Sequence, residues 1–405
     1  MTLGTEIVTD LAVIAVIAAL VTYLFARLRQ PLILGYLIAG MIIGPYTPPF
    51  SLISQIDYLQ VGADLGVILL LFAVGLEFPL RKFRSVGKVS VGVAAIEICF
   101  MLLVSFGVAI LLGWSLVDGA FLGAALASSS TAVIAKVLTD LGKLQDESAN
   151  VMLGVLVVED LFVVLLLAIL QSSFGTISGG IGTVGLKVAE ILLFVVGSLA
   201  IGVRIVPRLV DRLARVRRDE VLLLISVGLA FALSVVGSLL GFSVAIGAFL
   251  MGIIVAGARF SDVVAELTLP LKHFFGAIFF VSVGALIDVS QFGIFLLPAL
   301  IVTTLMVGGK LVGCSVGTRI FGYSRSTSLK VGLGMAQIGE FAFIVMRAGQ
   351  IMGVIASFLY PTVGVAAAIT TFLTPYLIKL SYRIEASTVP TQKQDMKMVW
   401  RGRRQ

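Results

Sequence analysis

Apolar runs of about 20 residues recur from one end of this chain to the other, the length an α-helix needs to cross a bilayer. In lipid every backbone N–H and C=O must be satisfied internally, which leaves only helices or closed barrels. We count about thirteen such runs, centred near Ala15, Ile38, Leu70, Leu102, Ser129, Asp160, Val195, Ser226, Leu250, Phe280, Leu305, Glu340 and Ala367. The second and ninth are short and rich in glycine. The expected fold is all-α and polytopic, with about thirteen transmembrane helices. Of the 405 residues, 59% are hydrophobic and 13% charged, against roughly 45–50% and about 25% in soluble domains.

The formal charge of +7 raises the question of nucleic acid, but the basic residues are placed otherwise. They gather in alternate connections: Arg27 and Arg29; Arg81, Lys82 and Arg84; Lys136 and Lys143; Arg204 to Arg218; Arg259 and Lys272; Arg319 and Arg325. Lys187 and Arg347 are the exceptions on the opposite side. This bias puts the N-terminus outside and the C-terminus in the cytosol of a cell-membrane protein. Residues 1–383 read as the transmembrane unit and 384–405 as a short basic tail facing anionic lipid headgroups. Cys99 and Cys314 fall in apolar runs and read as small buried hydrophobes, with no disulfide framework. Nothing basic precedes the first run, so no signal peptide is expected.

Two adjacent acids, Glu159 and Asp160, interrupt the run VLVVEDLFVVLLLAIL. An ionised side chain at that depth costs at least about 2.5–3.5 kcal/mol, and two neighbouring acids repel each other. Such a pair requires a compensating cation, a bound proton, or both. Glu97 and Glu190 are single acids in apolar stretches and read as helix-packing polar contacts. Glu77 reads as a helix-end acid beside Arg81. His273, the only histidine, reads as an ordinary interfacial residue in the connection before the tenth run.

Segments about 209–212 residues apart are alike. GYLIAGMII at 35–43 resembles GAFLMGIIV at 247–255; FAVG at 72–75 resembles VSVG at 281–284; GAALASSSTAVI at 123–134 can be laid on GLGMAQIGEFAF at 332–343. The shift relates spans two and nine, three and ten, five and twelve. It is an odd number of crossings, so the copies run through the bilayer in opposite senses, the inverted repeat of secondary transporters. Spans five and twelve carry the most polar centres: Ser128, Ser129, Ser130 and Thr131 in one, Gln337, Gly339 and Glu340 in the other. With Gly123, Gly332 and Gly334 they are expected to be two broken helices that cross near the midplane, where half-helix ends line a site.

These stretches resemble the monovalent cation:proton antiporter-2 family, which includes Kef-type potassium efflux and NapA-like sodium/proton proteins. The resemblance covers about residues 11–380. It rests on LGVILLLFAVGLEF at 65–78, ASSSTAVIAKVL at 127–138, the Glu159–Asp160 pair, GAFLMGIIVAG at 247–257, FFVSVGALID at 279–288 and AQIGEFAFIV at 336–345. It implies that Asp160 binds the cation or proton. The preceding position is acidic in electrogenic sodium exchangers, asparagine in electroneutral ones and glutamine in Kef-type proteins; here it is Glu159. A lysine on the eleventh span pairs with that acid in the electrogenic members, and Lys310 in LMVGGKLVG occupies the matching place. The resemblance also implies a homodimer, and a site-bearing core that moves elevator-like against the dimer scaffold. Full-length Kef-type proteins end in a nucleotide-binding domain, and no such fingerprint follows the last span here.

Sodium and potassium are hard ions that prefer oxygen, and a carboxyl in a partly dehydrated cavity binds either a cation or a proton. Asp160, Glu159, Thr131 and Ser130 are the candidate cation- and proton-binding residues, with Asp160 holding the metal ion. Lys310 and Glu159 form the candidate coupling pair. Ser128, Ser129, Gln337, Gly339 and Glu340 support the crossing. A pair that breaks on cation binding makes transport electrogenic; a permanent bridge makes it electroneutral. The expected function is exchange of a monovalent cation for protons, sodium favoured over potassium. The rivals are a Kef-type potassium/proton efflux protein and a sodium-coupled symporter of an organic solute. No TVGYG-like filter marks a channel. No nucleophile motif, metal-ligand cluster or phosphate loop marks an enzyme, and no cofactor is expected.

Overall fold

The computed structural model describes residues 3–28, 30–47, 52–53, 56–77, 87–174, 181–288, 290 and 292–388, and no strand occurs among them. The described helices are α1 (Leu3–Arg27), α2 (Leu32–Ile43), α3 (Ile56–Leu76), α4 (Lys88–Leu111), α5 (Leu116–Leu126), α6 (Thr131–Asp140), α7 (Glu147–Phe174), α8 (Ile181–Ala214), α9 (Asp219–Leu239), α10 (Val244–Val255), α11 (Ser261–Ala285), α12 (Phe292–Ile320), α13 (Arg325–Gly334), α14 (Phe341–Ile351) and α15 (Leu359–Thr388). Among the described residues, nine helical segments are long and apolar enough to cross a membrane, and four shorter apolar helices accompany them. Apolar side chains stand outward in water-excluding numbers: Leu193 is 74% and Leu239 82% exposed. Helices so apolar on their outer faces need lipid around them.

The repeat is visible at single residues. A side chain at Gly40 would run into the Val281 carbonyl, and one at Gly284 into the Leu37 carbonyl, where α2 crosses α11. A side chain at Gly252 would run into the Phe72 carbonyl, and one at Gly75 into the Phe249 carbonyl, where α10 crosses α3. The sequence repeat carries Leu37 and Gly40 onto Phe249 and Gly252, and Phe72 and Gly75 onto Val281 and Gly284. The two crossings are thus copies of each other, each closed by backbone-to-backbone contact that only glycine permits.

The helices sort into two groups. The first contains α1, α2, α3, α9, α10 and α11; the second contains α4, α5, α6, α7, α12, α13, α14 and α15. Each group packs closely within itself. Between them contact is sparse, chiefly α2 against α15 and α10 against α7, while α8 touches both α7 and α10.

Several expectations are corrected. Lys272 and His273 lie inside α11 rather than in a connection. Glu77 pairs with Lys272 at 2.8 Å, and its expected neighbour Arg81 lies outside the described residues, as do Arg29, Lys82, Arg84 and the tail beyond 388. The last helix runs to Thr388. Gly123 and Gly332 sit within α5 and α13 and do not break them; Gly332 instead lets α13 approach the Leu311 carbonyl of α12, 2.7 Å from where a Cβ would stand. Cys99 is exposed on α4, while Cys314 is buried as expected.

Candidate functional site: a carboxylate beside a helix crossing

Spans five and twelve are both broken. Helix α5 ends at Leu126 and α6 starts at Thr131; α13 ends at Gly334 and α14 starts at Phe341. Serine hydroxyls compete with backbone groups for hydrogen bonds, which favours leaving the helix at 128–130. The two gaps cross. Gly339 N–H donates to Ser128 O at 2.9 Å, and a Cβ at Gly339 would stand 2.7 Å from the Ser129 carbonyl carbon. The Ser129 hydroxyl donates to Met335 O at 3.1 Å. The Gln337 amide donates to Ser130 O at 2.9 Å and accepts from Thr374 at 2.8 Å.

A broken helix leaves a carbonyl end and an amide end unsatisfied, with partial negative and positive charge. Both are used. At the carbonyl end of α5, Ala127 O accepts from Lys310 Nζ at 3.1 Å; at the approach to α6, Ser129 N–H donates to Glu159 Oε2 at 3.0 Å. Lys310 Nζ also donates to Glu159 Oε1 at 2.9 Å. A third partner arrives from α4: Glu97 Oε1 lies 2.7 Å from Nζ, and the three charged side chains are wholly buried. The expected pair is therefore part of a three-residue cluster seated on the break.

Asp160 keeps different company. It is buried, and its Oδ2 accepts from the Thr131 hydroxyl at 3.4 Å, a long contact. Its Oδ1 has no hydrogen-bond partner among the described residues. Glu340, Glu159 and Glu77 are the other carboxyls near enough to act on it, so the surroundings are acid-rich and favour a cation. Ser130, beside Thr131 in sequence, lines a small cavity with Gly339 and Glu340, together with Leu34 and Leu37 of α2 and Thr371 of α15. The cavity lies between the two helix groups. Among the described residues, Ser130 Oγ and Glu340 Oε2 have no hydrogen-bond partner.

The structure thus brings Asp160, Thr131 and Ser130 to one locality. It gives Ser129, Gln337 and Gly339 bonded or close-packing roles in the crossing, with Ser128 contributing its carbonyl. Glu159 spends both carboxylate oxygens on Lys310 and Ser129. Glu340 faces the cavity rather than bracing the crossing. Glu97, read from sequence as a helix-packing polar contact, is the second acid at Lys310, a partner the sequence reading did not name. The available signal was arithmetic: a lysine buried at midspan needs counter-charge, and Glu97 is one of the few acids at comparable depth.

The family model described as "Sodium/hydrogen exchanger, transmembrane" matches residues 13–379. The chain belongs to this family. It is 30% identical to the "Putative cation/proton antiporter YbaL" of Escherichia coli (strain K12), over 97% of this chain and 72% of that protein. It is 32% identical to "K(+) efflux antiporter 4" of Arabidopsis thaliana, over 93% of this chain and 64% of that protein. Among solved structures, the sodium proton antiporter MjNhaP1 from Methanocaldococcus jannaschii at pH 8 matches with a TM-score of 0.71 and 18% identity, covering 94% of this chain and 97% of that one. At that identity the likeness concerns the fold, an all-helical membrane protein.

Proposed function

We propose that the protein exchanges a monovalent cation for protons across the cell membrane, with both competing for Asp160. The observation that carries this reading is the Asp160 carboxylate: buried, one oxygen unpartnered, the other facing only the Thr131 hydroxyl, beside two crossed helix breaks. Oxygen ligands from Thr131, Ser130, the freed carbonyls and water would complete the shell of a hard ion. Competition suffices for antiport. The carboxyl moves when loaded with a proton or a cation, and stays when bare, because an isolated charge is expensive to carry through a dry barrier. The sparse contact between the two helix groups supports an elevator-like movement of the site-bearing group against the other.

The finer features belong to the same proposal: thirteen crossings, N-terminus outside, C-terminus cytosolic, a homodimer made through the scaffold group, and a basic tail at anionic lipid. Sodium is favoured over potassium because an acid–acid–lysine set resembles the sodium exchangers. The name of the Arabidopsis relative makes potassium the alternative.

The test is proton flux in proteoliposomes reported by a pH-sensitive dye, on addition of sodium, potassium or lithium. Wild type moves protons on cation addition and Asp160→Asn does not. Flux that needs an added organic solute favours the symporter instead.

A further inference from the structure

Arg347 stands beyond Glu340 on α14, about 10 Å further along the helix by its rise per residue. With Tyr360 of α15 it lines a second cavity, whose opposite wall is Ala63 of α3 and Phe279, Ser282 and Val283 of α11. Each helix group thus supplies one wall. Arg347 is 8% and Tyr360 2% exposed, and Arg347 Nε and the Tyr360 hydroxyl have no hydrogen-bond partner among the described residues. A guanidinium keeps its charge in any protein setting, and a buried charge in a membrane is expensive unless paired. Asp118, beside the end of α14, is already spent: Ser115 donates to its Oδ2 and the Ala356 N–H to its Oδ1. Next to Ala63 on the other group, Asp64 stands exposed on α3, and Arg347 is the basic side chain near enough to act on it.

We infer that Asp64 and Arg347 form a latch between the two helix groups, a salt bridge that closes as the groups move together and seals the ion site from the side opposite Glu77. This rests on the exchange reading above and deepens it, naming residues that shut one end of the path. The ion pairs Lys272–Glu77, Lys310–Glu97 and Lys310–Glu159 each lie within one group, so movement of one group against the other leaves them intact. Asp64 and Arg347 are opposite charges on different groups, and are not among the ion pairs formed here. Their separation is the one that movement changes. Closure satisfies two idle donors at once, because a carboxylate can accept from the Arg347 fork and from the Tyr360 hydroxyl together. The attraction strengthens as the gap narrows and water leaves it. Glu77 follows the far end of α3, about 20 Å from Asp64 by helical rise, so the latch acts at one mouth only. On the orientation proposed above that mouth is the outer one, which gives Arg347 a reason to break the charge bias there.

The test is the rate at which a water-soluble thiosulfonate labels a cysteine placed in the cavity, in protein purified in detergent. The parent carries Ser282→Cys with Cys99→Ser; Cys314 is buried and stays. Asp64→Asn and Arg347→Gln are each expected to raise the labelling rate about tenfold, the factor that about 1.4 kcal/mol of lost attraction makes. The exchanged pair, Asp64→Arg with Arg347→Asp, is expected to return it to the parent rate. Equal rates in the parent and both single variants overturn the latch. So does an exchanged pair that labels as fast as the single variants, since the two charges then act separately. Should Arg347→Gln not fold, Asp64→Asn decides alone, because Asp64 is exposed and its charge is removed without disturbing packing. Sodium-driven proton flux is read on the same proteins in liposomes, where the single variants are expected to lose flux and the exchanged pair to regain it. A parent that labels as expected but moves no protons with any cation counts against the exchange reading and leaves the latch standing.

Discussion

Glu159 and Asp160 are adjacent in sequence yet face different partners. On α7 their side chains diverge by about 100°: Glu159 bonds Lys310 and the Ser129 amide, while Asp160 meets only the Thr131 hydroxyl and leaves Oδ1 open. One acid is spent on holding the crossing together. On the exchange proposed above, its neighbour is the acid that binds cation and proton in turn.

Among the described residues, Thr131 is the side chain that hydrogen-bonds Asp160. Thr131→Val keeps the shape and removes the oxygen, and a hydrogen bond to a charged group is worth about 1.5–3 kcal/mol. The apparent cation affinity in the flux assay is expected to fall by about 10- to 100-fold, with Thr131→Ser close to wild type. A Thr131→Val protein with unchanged affinity would remove Thr131 from the ion's shell.

Two lysine–glutamate pairs offer a contrast in stability. Lys310 and its acids are fully buried, and removing one partner of a buried pair costs about 3–5 kcal/mol. The Lys272–Glu77 side chains are 23% and 51% exposed, where such pairs contribute about 0–1 kcal/mol. Thermal unfolding in detergent is expected to show a large loss for Lys310→Ala and little change for Lys272→Ala. Replacing the cluster together, Glu97→Leu with Glu159→Leu and Lys310→Met, is expected to recover much of the loss.

The reciprocal crossings give a matched pair of substitutions. Gly40→Ala and Gly252→Ala each force a methyl group against backbone, at the Val281 and Phe72 carbonyls, which cannot rotate away. Each is expected to cost about 1–3 kcal/mol by overpacking, and the two to match because the sites are copies. Gly107→Ala, where a Cβ meets nothing within 4 Å, serves as the neutral control in the same unfolding assay.

Much of this architecture is legible in sequence because lipid leaves few choices. The apolar centres all fall within described helices or at the two breaks, and the repeat of GYLIAGMII in GAFLMGIIV aligns Gly40 with Gly252, which close two separate but equivalent crossings. The breaks were readable from Ser128–Ser130 and from Gln337 and Gly339, since residues that compete with or loosen helical backbone cluster there. Gly123 and Gly332 misled, because glycine at midspan also serves close packing, and sequence does not tell a gap from a contact. Glu97 was hidden for a different reason. Its partner lies more than 200 positions away on another helix, and no local pattern says which face of α4 turns toward α12. Likewise, the side-by-side acids gave no sign that Glu159 would have both oxygens occupied.

Competition at Asp160 is tested most directly by equilibrium binding of radiolabelled sodium to the purified protein as a function of pH. One proton and one cation sharing a carboxyl require the apparent Kd to fall about tenfold for each unit rise in pH, until the site is fully deprotonated and the Kd levels off. Wild type is predicted to follow that slope and then plateau, with Asp160→Asn losing binding across the range. Saturable binding whose Kd does not change with pH, or an Asp160→Asn protein that binds as wild type does, would contradict it.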